Sequence, residues 1–349
     1  MKLIGRAAQM RKIENLFSEK SLGLTVIHGR KGMGVSSLLL QMSASHNSTT
    51  VLFCGLPVRD AYMARRESAV LRSALAGVPE TDFRSQEEVL RYLLERSRTS
   101  PILLLFDDFH QVLRFSPDFC QVLNRLLSQY RASAHMQILL GGESAYMPQR
   151  LLNMADCLIF LTPLSRDDAC AFYPDLPDED QDTLYRLLGS VPDVLARINP
   201  MQSAVENIQH LLIDRHAPLQ DFVPSYIAQH FRLQSPAVYS ILDAMSRGAN
   251  SYKEILDGIE DVTSQNLAVI LKRMCALGLI NRTEGKKEAG KRQEITYTFH
   301  DPLIRFYFRF LLPHLGALKT LPASEFMRTF VLTENHYDGD PSLPDFARP

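Results

Sequence analysis

Tryptophan is absent from the 349 residues, and the five cysteines include no CxxC pair. An odd cysteine count without paired spacing argues against a disulfide framework or a zinc site and fits reduced thiols. An excess of one charge is missing too: 38 Lys and Arg face 39 Asp and Glu, a net charge of −1. Coating of nucleic acid by bulk charge is therefore excluded, and any such contact must come from a local patch. No run approaches the ~18 consecutive apolar residues of a membrane span. The most apolar late stretch, Phe306 to Leu318, is broken by Arg309 and His314. The first residues, Met1 to Arg6, carry no signal-peptide core, so the expectation is a cytoplasmic protein with no membrane partner. What the chain does have is 46% apolar and 22% charged residues, enough to bury the cores of two or three domains.

The first half alternates apolar runs with helical periodicity, which predicts a parallel sheet with helices on both faces. Leu24 to His28, Val51 to Cys54, Ile102 to Phe106, Gln137 to Leu140 and Leu158 to Leu161 are five candidate strands. Ala61 to Leu75, Gln86 to Arg96 and Phe119 to Tyr130 carry helical spacing. After Pro163 the pattern is helical without strands to about Ile227, interrupted by an expected acidic loop from Asp175 to Asp182. From about Ser235, three helices precede two strands around a basic turn, the order of a winged helix-turn-helix. The expected domains are 1–163, 164–230, 231–312 and 313–349, the last a tail or a remnant of a further domain.

Gly29-Arg30-Lys31-Gly32-Met33-Gly34-Val35-Ser36 lies between the first strand and a helix beginning near Ser36. A phosphate-binding loop, G-x-x-x-x-G-K-[S/T], belongs in that place. Its glycines let backbone N–H groups curl around phosphate, its lysine neutralises phosphate charge, and its hydroxyl completes a magnesium shell. Gly29, Gly34 and Ser36 match, with Ser37 following, but Val35 stands where the lysine belongs. A lost charge–phosphate contact costs roughly two decades in affinity or rate, which Lys31 or Arg30 could restore only from other positions. Seventy-one positions after Ser36, the third apolar strand runs into Asp107-Asp108. Such an acidic pair suits magnesium, through water, at Asp107 and a catalytic base at Asp108. Both motifs point to an α/β P-loop NTPase core with ATP and Mg²⁺ as cofactors.

Taken together these strings resemble the archaeal and bacterial P-loop ATPases of the AAA+/STAND superfamily, a type often followed by a C-terminal nuclease-like region. Ile4-Gly5-Arg6 is similar to the family's opening "GRE" box, and Leu105 to His110 to its "IDEFQYL" string. Leu140 to Ser144 stands where the family has a polar sensor on the fourth strand, with Glu143 partly in place of a hydroxyl. Gly189-Ser190-Val191-Pro192 resembles the G-x-P motif of a helical lid, which implies Pro192 near a nucleotide base. His300 to Phe310 resembles the "DPFLRFWYRF" segment after the winged helix. The departures are Val35, Glu143 and the lack of a "PLYGR" arginine between Arg150 and Leu161. They imply a degenerate Walker A motif and weakened or absent hydrolysis.

Within the expected winged helix, Ser264 to Leu277 reads as the recognition helix, presenting Gln265, Asn266, Lys272 and Arg273 to bases and phosphates. Lys286, Lys287, Lys291 and Arg292 crowd the wing tip. Residues 235–312 hold eleven basic against nine acidic residues, a mild surplus compatible with either DNA or a protein partner. Ile255, Leu267, Ile270, Leu271 and Met274 are expected core. Two functions follow: a nucleotide-dependent switch acting on DNA or protein, or a nucleotide-independent scaffold or DNA-binding regulator that keeps the fold.

Overall fold

A computed structural model of the chain describes residues 3–19, 21–45, 49–260, 262–285 and 295–332. The chain divides into two compact units, Met1–Thr162 and Pro163–Pro349. In the first, α1 (Ala7–Glu19), β1 (Leu22–Gly29), α2 (Val35–Ser45) and β2 (Thr49–Cys54) lead into α3 (Asp60–Ala74) and α4 (Gln86–Arg96). Then come β3 (Ile102–Asp107), α5 (Phe109–Phe115), α6 (Phe119–Tyr130), β4 (Met136–Glu143), α7 (Gln149–Met154) and β5 (Cys157–Leu161). The five strands form one sheet in the order β2-β3-β4-β1-β5, and every pair is parallel. This is the α/β fold with a parallel sheet and flanking helices that the strand pattern predicts.

Position in the sheet explains the composition of each strand. Ile102 to Phe106 in β3 are all buried, because a central parallel strand is covered on both faces. At the edge, β5 buries Cys157, Ile159 and Leu161 but exposes Leu158 and Phe160. The Lys12 ammonium donates to the Leu158 carbonyl at 3.0 Å, which blunts the open edge. Against one face packs a core that includes Val26, Phe53, Leu104, Phe106 and Leu140 from strands with Leu93, Phe109 and Leu123 from helices.

The second unit opens with α8 (Arg166–Cys170), α9 (Asp178–Leu188), α10 (Pro192–Leu195), α11 (Ala204–Ile208) and α12 (Phe222–Phe231). The expected acidic loop is corrected here. Asp178, Glu179 and Asp180 form the first turn of α9, where carboxylates are favoured by the positive end of the helix dipole. Next follow α13 (Ser235–Ser246), α14 (Tyr252–Asp257), α15 (Ser264–Ala276), β6 (Ile280–Glu284) and β7 (Ile295–Phe299). The two strands pair antiparallel from Ile280↔Phe299 to Glu284↔Ile295, completing the helix-helix-helix-hairpin order of a winged helix-turn-helix. Ile255, Leu267, Ile270, Leu271 and Met274 are buried as expected.

After the hairpin, α16 (Pro302–Phe306) is capped by the Asp301 carboxylate, which accepts from the Leu303 and Ile304 amides at 2.9 and 3.2 Å. Phe306, Phe308 and Phe310 are fully buried, so this aromatic run is core rather than a stacking platform. Two short helices, α17 (Leu315–Thr320) and α18 (Ala323–Phe326), and a π-helical turn, Met327–Val331, complete the described chain. Phe326 is buried there and meets the Phe330 ring at a tilt, 5.0 Å between centroids.

Candidate functional site

The strand order places a topological switch between β1 and β4. The chain leaves β1 toward β2 on one side, and leaves β4 toward β5 on the other. In open parallel sheets, ligands bind outside the carboxyl ends of strands at such a point. The loop after β1 and the ends of β3 and β4 all lie at this edge.

Between the end of β1 at Gly29 and the start of α2 at Val35 the chain reverses through residues 30–34. Gly32 and Gly34 take φ values of 85° and 88°, a left-handed conformation that glycine adopts without penalty. The Met33 amide donates to the Arg30 carbonyl at 3.2 Å and the Leu38 amide to the Gly34 carbonyl at 2.9 Å. A Cβ added to Gly34 would meet nothing within 4 Å, so the cradle is open above the helix. Lys31 and Ser36 are exposed, Arg30, Val35 and Ser37 half-buried, and Met33 buried. Unpaired amides at the start of an 11-residue helix suit a polyphosphate.

The acidic half closes differently. β3 ends at Asp107, and Asp108 turns the chain into α5 with φ 48° and ψ 32°, a left-handed conformation uncommon outside glycine. The Asp108 amide donates to Asp107 Oδ1 at 3.0 Å. From β2, the Gly55 amide donates to the Asp107 carbonyl at 2.8 Å, and a Cβ on Gly55 would stand only 2.2 Å from the Asp108 carbonyl oxygen. Burial and the neighbouring Asp107 raise the Asp108 carboxyl above its ordinary value, with His110 and Lys31 pulling it down and Glu143 pushing it up. Thus Lys31, at the loop, is felt at the acidic pair.

His110 joins this pair to the end of β4. Its Nδ1 accepts from the Glu143 amide at 3.4 Å and lies 3.9 Å from Asp108 Oδ1. Tyr146 stacks on the imidazole at 5.6 Å and 15°. Burial lowers the His110 pKa, so the neutral ring that accepts this bond is favoured. His28, one residue before Gly29, places Nδ1 2.9 Å from the Ser144 hydroxyl, tying the ends of β1 and β4 together.

Val35 is accounted for by its neighbours. A Cβ on Gly141 of β4 would lie 2.6 Å from Leu39 Cδ1, 2.9 Å from Val35 Cγ1 and 3.3 Å from Asp107 Oδ1. The valine therefore packs over Gly141 beside the Asp107 carboxylate, and its methyls carry no charge toward the cradle. Among the described residues no three His, Cys, Asp or Glu side chains converge as a metal-ligand set. A magnesium ion needs no such set: it keeps waters and takes one or two protein oxygens plus phosphate oxygens. The Ser36 hydroxyl and Asp107 carboxylate are hard oxygen donors of that kind, so the residues present fit it.

Other expected residues fall elsewhere. Pro192 opens α10 in the second unit. On α15, Gln265, Asn266 and Lys272 are exposed. Arg273 is exposed as well, with its guanidinium donating to the His230 carbonyl and lying 5.4 Å from the Phe231 ring centroid. These contacts orient the guanidinium against α12. Lys286, Lys287, Lys291 and Arg292 lie outside the described residues. Gly55 went unread because nothing local marks it; only the pairing of β2 with β3 sets it against the acidic turn. No helix of the described residues is long and apolar enough to cross a membrane.

Comparison with known proteins supports the architecture. No family model matches the chain. An uncharacterized protein of Methanocaldococcus jannaschii is 18% identical over 330 residues, 90% of this chain and 70% of that one. Among solved structures, a Walker-type ATPase of Pyrococcus abyssi superposes with a TM-score of 0.56 at 17% identity, covering 88% of this chain and 96% of that one. Cdc6p from Pyrobaculum aerophilum gives 0.45 at 15% identity over 94% and 95%, a likeness too low to build on. What the Pyrococcus likeness shows is the fold.

Proposed function

We propose that the first unit binds ATP with Mg²⁺ and acts as a nucleotide-dependent switch with weak or absent hydrolysis. The observation that carries this reading is one edge holding two half-sites, the open Gly29–Ser36 cradle and the Asp107-Asp108 turn, with Val35 in place of a lysine. Loop amides would bind the phosphates, and Lys31 and Arg30 would supply the positive charge. Ser36 and Asp107 would hold Mg²⁺, which when bound neutralises phosphate charge and polarises a phosphoryl oxygen. Asp108 stands at the position of a base that orients water. The second unit would respond through the lid segment around Pro192 and through the winged helix, whose exposed Gln265, Asn266 and Lys272 suit DNA or a protein surface. The Walker-type ATPase of Pyrococcus abyssi supports the choice of a nucleotide by analogy of fold.

A second reading, a nucleotide-independent scaffold or DNA-binding regulator, is favoured by the packing of Val35 beside Asp107, which fills the lysine position with apolar surface. Titration calorimetry with ATP and Mg²⁺ separates the two. Micromolar binding by the natural protein, weakened by Lys31→Ala, supports the switch. Binding by Val35→Lys alone leaves the scaffold.

A further inference from the structure

The Ile4-Gly5-Arg6 string leads into α1. Gly5 takes φ 69°, a turn that sets Arg6 at the head of α1, where its carbonyl accepts from the Met10 amide at 3.0 Å. Only 3% of Arg6 is exposed, and a guanidinium is buried so deeply only when its donors are used. Nη2 donates to the Met33 carbonyl at 3.1 Å and to the Thr162 carbonyl at 2.8 Å. Met33 belongs to the cradle. Thr162 follows β5 and is the last residue of the first unit. The two carbonyls belong to neighbouring segments, since a Cβ on Gly29 would lie 3.0 Å from the Leu161 carbonyl oxygen and 3.2 Å from Met33 Cβ.

Two residues beyond Thr162, the Leu164 amide donates to the Ser190 carbonyl at 3.0 Å. Ser190 lies in the Gly189-Ser190-Val191-Pro192 motif. Pro163 stands between, and its ring restricts φ. The guanidinium thus bonds the loop to the backbone at Thr162 within the first unit, the Leu164 amide bonds the motif within the second, and residues 162–164 of the chain join the two.

We propose that Arg6 is a positioning residue that makes the cradle and the backbone at Thr162 move together, so that occupancy of the cradle reaches the Gly189–Pro192 segment through residues 162–164. The ligand half of this proposal rests on the nucleotide reading above. The physical reason is that a rigid guanidinium shared by two carbonyls cannot follow one without straining or losing the other. A buried donor left unsatisfied is costly, so displacement of Met33 is passed on rather than absorbed.

The test is hydrogen–deuterium exchange on the full chain, with ATP and Mg²⁺ and without, read at the Met33 and Leu164 amides. In the natural protein, nucleotide should slow both. In Arg6→Met the Met33 response should persist while the Leu164 response falls about tenfold, the worth of one hydrogen bond. Arg6→Lys, which keeps the charge but not the fork, should fall between. Equal Leu164 responses in the natural protein and Arg6→Met overturn the proposal. Without nucleotide, Arg6→Met should speed exchange at both amides together, and an unchanged Leu164 amide also overturns it. That arm decides the strut even if calorimetry shows no ATP binding, in which case the nucleotide reading alone falls. Should Arg6→Met fail to fold by circular dichroism, the comparison runs on Arg6→Lys, whose natural-like exchange at Leu164 would overturn the proposal.

Discussion

The two halves of the candidate site divide backbone and charge between them in opposite ways. The Gly29–Ser36 loop has two left-handed glycines, Gly32 and Gly34, and an uncharged residue, Val35, at the head of its helix. The Asp107-Asp108 turn carries both the charge and the conformational burden, a left-handed aspartate braced by a close glycine just past β2. Geometry and charge are therefore separable: a cradle can survive the loss of its cation because its shape depends on glycines and helix register. The acidic turn has no such independence, because one of its carboxylates, Asp108, itself sits in the left-handed backbone.

Breaking the acidic half should have the largest effect. Gly55→Val puts a side chain 2.2 Å from the Asp108 carbonyl oxygen, so the turn must shift and stability should fall by about 3 kcal/mol in denaturant unfolding. Repairing the loop half comes next. Val35→Lys restores a charge over an intact cradle and should raise ATP affinity by about a hundredfold in calorimetry. No gain would mean that the shape has been lost along with the charge.

A pH titration sharpens the contrast between the halves. The cavity beneath the acidic turn is lined by Phe106 and Phe109, which flank Asp107-Asp108, and by Glu67 and Gln86. Burial pushes the Glu67 carboxyl up to about 7, against the hydrogen bond it accepts from Gln86 Nε2 at 2.8 Å. Because the folded state holds this proton more tightly than the unfolded chain, stability should be greatest below about pH 4.5 as far as Glu67 is concerned. It should fall as pH rises through about 7, by a couple of kcal/mol in all. Glu67→Gln removes that slope from a chemical-denaturation series between pH 5 and about 8, whereas Lys31→Ala leaves it in place.

The smallest expected change is Asp108→Gly. It relieves a left-handed aspartate and should raise stability by about 0.5–1 kcal/mol, while removing the group placed at the base position. A melting temperature unchanged or lowered would show that the turn is not strained.

Much of the first unit was legible in the residues. All five strands, the loop at the end of β1 and the acidic pair at the end of β3 follow from apolar runs and motif spacing. The acidic run after Asp175 was misread because carboxylates look like a solvated loop until one sees that Asp178, Glu179 and Asp180 stand at the start of a helix. Arg273 is exposed as periodicity on α15 predicts, but periodicity alone cannot show that α12 supplies its guanidinium with a carbonyl and an aromatic ring.

By itself the sequence determined the fold class, the place of the glycine-rich loop and the valine at the head of the helix after it, since these depend on local periodicity and on which residues tolerate a left-handed backbone. Tertiary structure alone decided what surrounds them: Gly55 against the acidic turn, His110 between Asp108 and β4, Val35 over Gly141, and Arg6 bonded to both Met33 and Thr162. Those contacts join residues up to 156 positions apart, and strand order, which no local pattern encodes, determines who meets whom.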